Sequence, residues 1–415
     1  MSLKLVACFA TALIPALLTM PGMAAADDDA FKVTAAVTIP TNATLTSFDI
    51  SYVDPALGIY VLGDRTNNAI DVVDTKSLDV FQLGKGHFVG VKTNAQCATG
   101  NGNDCSGPDG VVIVNQKEIW AGDGDSTFKI ISLASHAVSP GISTGGKFRV
   151  DEMCFDPVDQ IVMMANNADD PPFATFVSTQ PGNAILGKVE FKNSTNGAEQ
   201  CQWNPRTGKF YIAIPEIDHV QGGVVVINPH NLKIEKTFSI PVTDCKNPQG
   251  MAIGPKPQIL LGCNGDTSQH STVVINELNG QIIQTFANES GADMVWFNPG
   301  NNHYFLARSS AFGGTQKLGI IDAVSLSPDA DISVGPTGAP NAHSVAADPV
   351  TNRTFFPIPG GKSMLCGSVP GGSNALGCIA VITGTQDGDD CVAEGAPVIS
   401  AGREDDPLFH KVKCQ

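Results

Sequence analysis

The chain has 415 residues, with 41 acidic side chains against 25 basic ones and a formal charge of −16. Such a chain repels phosphate backbones and anionic headgroups, which excludes nucleic acid and anionic membrane surfaces as partners and suits cations or basic partners. Glycine (43) and proline (27) are spread evenly and no helical period outlasts two turns, so an all-β chain with many tight turns is expected.

Residues 1–26 read as a secretory signal peptide. Lys4 is their one charge, an apolar run covers residues 5–18, and small residues end it at Ala24-Ala25-Ala26. Pro15, Pro21 and Gly22 interrupt a run already short for a membrane span. The mature protein, from Asp27, is expected to be exported, periplasmic or extracellular, with no membrane attachment once the leader is cut.

A short apolar strand ending in a turn follows, at Asp54-Pro55. The unit recurs at Asp156-Pro157, Asn204-Pro205, Gly254-Pro255, Asn298-Pro299 and Asp348-Pro349. A weaker copy starts at Pro108-Asp109 and has Asn115 in the place of the proline. Seven units roughly 40–50 residues apart indicate a solenoid or a propeller. In the fourth unit, residues 201–204, 210–215, 223–227 and 234–240 form four successive strand patterns, as a propeller blade requires. Residues 33–39 have no blade of their own. They are predicted to complete the seventh blade beside residues 378–383, which seals the ring and removes an open sheet edge. The predicted domains are the leader 1–26, a seven-bladed β-propeller over 27–384, and a stapled tail over 385–415.

Eleven cysteines are present, and ten remain after Cys8 leaves with the leader. In an exported chain they are expected as disulfides. Spacing suggests Cys97–Cys105, Cys245–Cys263, Cys366–Cys378 and Cys391–Cys414. Cys154 and Cys201 begin equivalent strands of neighbouring units but stand one residue out of phase, which speaks against a bridge between them. No Cys-x-x-Cys pair supports a zinc–thiolate site.

The run Gly63-Asp64-Arg65-Thr66-Asn67-Asn68-Ala69-Ile70-Asp71-Val72-Val73-Asp74-Thr75 resembles the YVTN-type propeller repeat, as does Asp348-Pro349-Val350-Thr351-Asn352-Arg353. The resemblance implies a seven-bladed propeller in an exported protein. The wider group holds lactonase-like enzymes, lyases and non-catalytic binding proteins, so it implies the fold more than the function.

Six residues before each turn stand Asp49, Asp109, Asp151, Glu199, Gln249, Asp293 and His343. Two further on are Ser51, Val111, Met153, Cys201, Met251, Val295 and Val345, and two beyond those Val53, Ile113, Phe155, Trp203, Ile253, Phe297 and Ala347. Side chains alternate along a strand, so these sets are expected to line a channel with a charged mouth and an apolar plug. Five carboxylates in one ring repel one another. Either some hold raised pKa values, or a cation balances them, or each caps local backbone and is solvated. A divalent cation, calcium, is the economical choice, with Asp49, Asp109, Asp151, Glu199 and Asp293 as its oxygen ligands.

The second strands end on the same face and bring Arg65, Arg308 and Asn264, which could bind a substrate. The arginines suit a carboxylate or carbonyl, or equally could pair with ring acids. Gly-x-Ser-x-Gly, His-Glu-x-x-His, phosphate-loop and Cys-x-x-Cys-His patterns are absent. Two functions remain. One is a metal-dependent lactonase- or esterase-like hydrolase, with His343, Asp293 or Glu199 as its acid–base groups. The other is a non-catalytic exported propeller that binds a ligand or protein partner on its mouth face.

Overall fold

The computed structural model describes residues 31–264, 271–287, 289–308, 316–334 and 343–384. These form seven four-stranded antiparallel sheets, each a blade around a common axis. The inner strands are Ser51–Asp54, Val111–Val114, Met153–Asp156, Cys201–Asn204, Pro248–Ile253, Ala292–Asn298 and Ala346–Asp348. Blades are numbered one to seven in that order. Among the described residues no helix is long and apolar enough to cross a membrane.

The repeated turn works by local hydrogen bonding. The carboxylate of Asp54 accepts from the backbone N–H groups of Ala56 and Leu57 at 2.9 and 3.0 Å. Asp156, Asn204, Asn298 and Asp348 each take the N–H two residues on in the same way. This is why Asp or Asn precedes the turn. The last turn position has positive φ and is filled by Gly58, Gln160, Gly208, Asn302 or Asn352. Blade two differs. Asn115 and Gln116 both have positive φ, which proline cannot adopt, and a three-residue connection between Val114 and Glu118 replaces the four-residue turn.

The ring closes as the repeats imply, with a shift in boundary. Phe31–Val37 pairs antiparallel with Gly377–Gly384, from Phe31 opposite Gly384 to Val37 opposite Ile379. The strand therefore ends before Ile39, which instead packs, 2% exposed, beside Leu45 and Phe48 as the chain turns at Pro40 into blade one. The leader, the tail and the pair Cys391–Cys414 lie outside the described residues.

Side chains between blades supply the core. Trp120, Tyr60, Tyr304 and Phe355 are all fully buried. Polar clamps cross the seams as well. The Thr75 hydroxyl donates to Asp348 at 2.7 Å between blades one and seven, and Arg206 pairs with Glu277 at 2.6 Å between blades four and five.

Three expected disulfides form: Cys97–Cys105, Cys245–Cys263 and Cys366–Cys378. Cys154–Cys201 forms too, against the phase argument. The reason is geometric. Blades stand edge-on around the axis, so one face of each inner strand looks at the preceding blade and the other at the following one. Two residues that meet across a seam must come from opposite faces, and a one-residue phase offset is what that requires. Four disulfides suit an oxidising compartment.

The same geometry corrects the view of the channel. Positions six before each turn face the preceding blade, and those five before face the following blade. Both sets reach the axis. The second set holds Ile50, Gly110, Glu152, Gln200, Gly250, Met294 and Ser344. Gln200 spans three blades: its amide donates to Val295 O at 2.9 Å, and its oxygen accepts from Met251 N and Val295 N at 2.7 and 3.0 Å. Ser344 donates to Ser51 at 2.7 Å and lies against Met294. Gln200 is 3% exposed and Ser344 and Ser51 are fully buried, so the plug is part polar and shuts the channel below its mouth.

Candidate functional site at the channel mouth

A cavity of about 180 Å³ occupies the mouth. Six of the seven ring positions line it: Asp49, Asp151, Glu199, Gln249, Asp293 and His343. Asn264 also lines it, its amide bonded to Gln249. The seventh, Asp109, is fully buried behind Arg65. Arg308 is not among the lining residues. Its guanidinium meets Glu289 and Asp331 at 2.8 Å each and Ser290 O at 3.0 Å.

Four lining residues were invisible to the repeat alignment, Ile50 among them. Glu152 belongs to the set that faces the following blade. Arg149 and Asn103 come from passages between blades, which do not repeat. Asn103 sits in the loop stapled by Cys97–Cys105, and the same loop offers Asp104 O to Arg149 N at 2.9 Å.

The arginines balance one side of the ring. Arg65, 1% exposed, donates from Nε to Asp109 at 2.7 Å and from its Nη atoms to Asp49, Asp109 and Asn103. Arg149 lies 3.0 Å from Asp151 and 3.8 Å from Asp49, and its Nε donates to Asn167 at 3.1 Å. Blades one to three are thus compensated. Blades four to six present Glu199, which feels Arg149 only through space, and Asp293, whose partner among the described residues is the His343 imidazole, with Nδ1 at 2.5 Å.

Burial and mutual repulsion set the protonation pattern. Burial opposes ionisation of Asp49, yet Arg65, Arg149 and His343 together hold its pKa below the usual range. Burial, with the neighbouring acids, pushes Asp109, Asp151 and Glu152 well up. Burial and the Asp293 charge bring Glu199 to about 7. Burial would lower His343, but its bond to Asp293 raises it. Asp49, Asp109 and Asp151 are the acids that could share an ion, with oxygens within 4.8 Å of one another. Asp109 Oδ2, buried without a partner, is a free acceptor there.

A second acid pair lies in blade one. Burial first, then the Asp64 charge, pushes Asp71 well up, and burial brings Asp64 to about 6. A carboxyl whose folded pKa is raised holds its proton in the native state. Its stabilisation is complete below the unfolded value near 4 and is lost as pH rises through the folded value, about 6 for Asp64. Asp71→Asn is therefore expected to raise stability at pH 8, where the native state disfavours the ionised carboxyl, and to leave it unchanged at pH 4. Urea denaturation at both pH values checks this, and equal gains at both would refute it.

No protein-family model matches the sequence, and no curated protein matches it. The fold is widespread among solved structures. A chain of the "Crystal Structure of Mitotic Checkpoint Complex" is 12% identical with a TM-score of 0.57, over 91% of this chain and all of that one. At that identity the likeness shows the fold alone. The molecule is a seven-bladed β-propeller.

Proposed function

We propose that this is an exported propeller that binds a small cation at the mouth of its blocked central channel. The observation that carries the reading is the charge count at the cavity. Five lining acids, Asp49, Asp151, Glu152, Glu199 and Asp293, meet Arg149 and His343, with Asp109 paired to Arg65 behind them. Burial and crowding hold Asp151, Glu152 and Glu199 towards the neutral form, and a ligand that brings positive charge lets them ionise.

Calcium is the simplest such cation. Asp49, Asp109 and Asp151 fit it in oxygen type and spacing, with Glu199 and Asp293 nearby. Arg65 and Arg149 fit it poorly, because they already neutralise those aspartates. If calcium binds, added calcium at a hundredfold excess over Kd stabilises the fold by about 2.7 kcal/mol. Chelator removes that gain, and Asp293→Asn with Glu199→Gln diminishes it. Equal melting temperatures with calcium and with chelator, together with no metal by elemental analysis, would rule calcium out.

The second reading, a lactonase- or esterase-like hydrolase, is favoured by the His343–Asp293 pair beside Glu199 in one cavity. An imidazole oriented by a carboxylate is a competent proton carrier. A screen of lactones and esters, with His343→Gln as the control, decides it. Turnover that survives this substitution would remove His343 from the chemistry.

A further inference from the structure

We infer that the ligand of the mouth is a short aliphatic diamine, an N–H-bearing organic ammonium rather than a metal ion. The inference rests on the reading that the mouth binds a cation. It follows from how the acceptors are spaced and from which of them lack partners.

Calcium ligands sit about 2.3–2.6 Å from the ion, so oxygens that share it lie within about 5 Å of one another. Among the described residues, Asp49, Asp109 and Asp151 come that close, and Arg65 bridges the first two while Arg149 holds the third. A metal there must displace a guanidinium that is 1% exposed. The remaining acids, Glu152, Glu199 and Asp293, do not converge in this way but surround a cavity of about 180 Å³. That volume is several times the ~30 Å³ share of one water. It suits a ligand of several heavy atoms with charged ends.

Glu152 is the independent pointer to a ligand. It lines the cavity, is 5% exposed, and its carboxyl accepts no hydrogen bond from a described residue. A buried carboxyl without a donor is costly, and a ligand that carries N–H groups supplies one. The lining also sets the kind of ammonium. Among the described lining residues His343 carries the one aromatic ring, whereas quaternary ammonium groups are recognised by aromatic faces. Ile50 provides apolar contact for a short stem. Glu152 and Glu199 meet across the seam of blades three and four, two residues from the Cys154–Cys201 bridge, and Asp293 stands two blades further on, so acids flank the cavity at two places and two ammonium groups are better matched than one.

Titration calorimetry of the mature, oxidised chain tests this with four probes at one ionic strength: 1,4-diaminobutane, butylamine, tetramethylammonium and calcium. The diamine is expected to bind most tightly, butylamine at least tenfold more weakly, and the other two more weakly again. Glu152→Gln is expected to weaken the diamine about tenfold. Tighter binding of calcium than of the diamine overturns the inference while the cation reading stands. Tetramethylammonium as tight as the diamine, or full diamine affinity in a folded Glu152→Gln protein, also overturns it. No heat from any of the four overturns the cation reading with it. If the variant fails to fold, the ranking on the unaltered protein decides alone.

Discussion

Arg65→Met is expected to destabilise the protein by roughly 3–5 kcal/mol, the cost of breaking a buried ion pair by removing one partner. Methionine keeps most of the volume, so the loss is one of charge. Asp109, fully buried, would lose its hydrogen-bond donor, and its Oδ2 has no partner even now. Asp49 would keep Arg149, at 3.8 Å, and the weaker pull of His343. Adding Asp109→Asn is expected to restore a large part of the stability, because the stranded group is then neutral. Urea denaturation of the single and double variants measures the coupling. If Arg65→Met unfolds at the same urea concentration as the unaltered protein, the guanidinium is not what balances this side of the ring.

Removal of the closing strand Phe31–Val37 is expected to cost most of the folding free energy, which for a domain is on the order of 5–15 kcal/mol. The strand supplies the fourth member of blade seven. Phe31 packs edge-on against His303 and Phe305 of blade six at 5.0 and 5.9 Å, so it also seals a seam. Without it, Gly377–Gly384 presents an unpaired edge open to other chains. The truncated protein is expected to aggregate, and a synthetic peptide of residues 30–40 to restore a cooperative melt. A truncated protein that stays monomeric and melts as the full chain does would show that the closure carries little of the stability.

What could be read without coordinates was what local chemistry repeats. Asp54, Asp156, Asn204, Asn298 and Asp348 mark turns because their side chains satisfy the turn's own backbone, and these five marks, with Gly254-Pro255 and Asn115, give the blade number. The register of the ring acids followed from the same marks, and six of the seven positions do line the mouth. What could not be read depends on how strands face one another. Glu152 and Gln200 sit on the strand face taken to be turned away from the axis, and Cys154 and Cys201 meet because they are out of phase. Arg149 and Asn103 come from connections that carry no period. Arg308 ends its strand and Arg65 follows the end of its own, yet Arg308 binds Glu289 and Asp331, because acids local to blade six capture it.

The plug made by Gln200, Ser51, Ser344 and Met294 also decides how anything can use the cavity. With the floor shut there is one door. A molecule cannot thread through the ring, and whatever comes in must back out by the same path. The site can therefore grip the tip of a long chain but never its middle. A flexible compound, or a side chain on a larger partner, would be recognised by its end group alone, with the rest left outside on the mouth face.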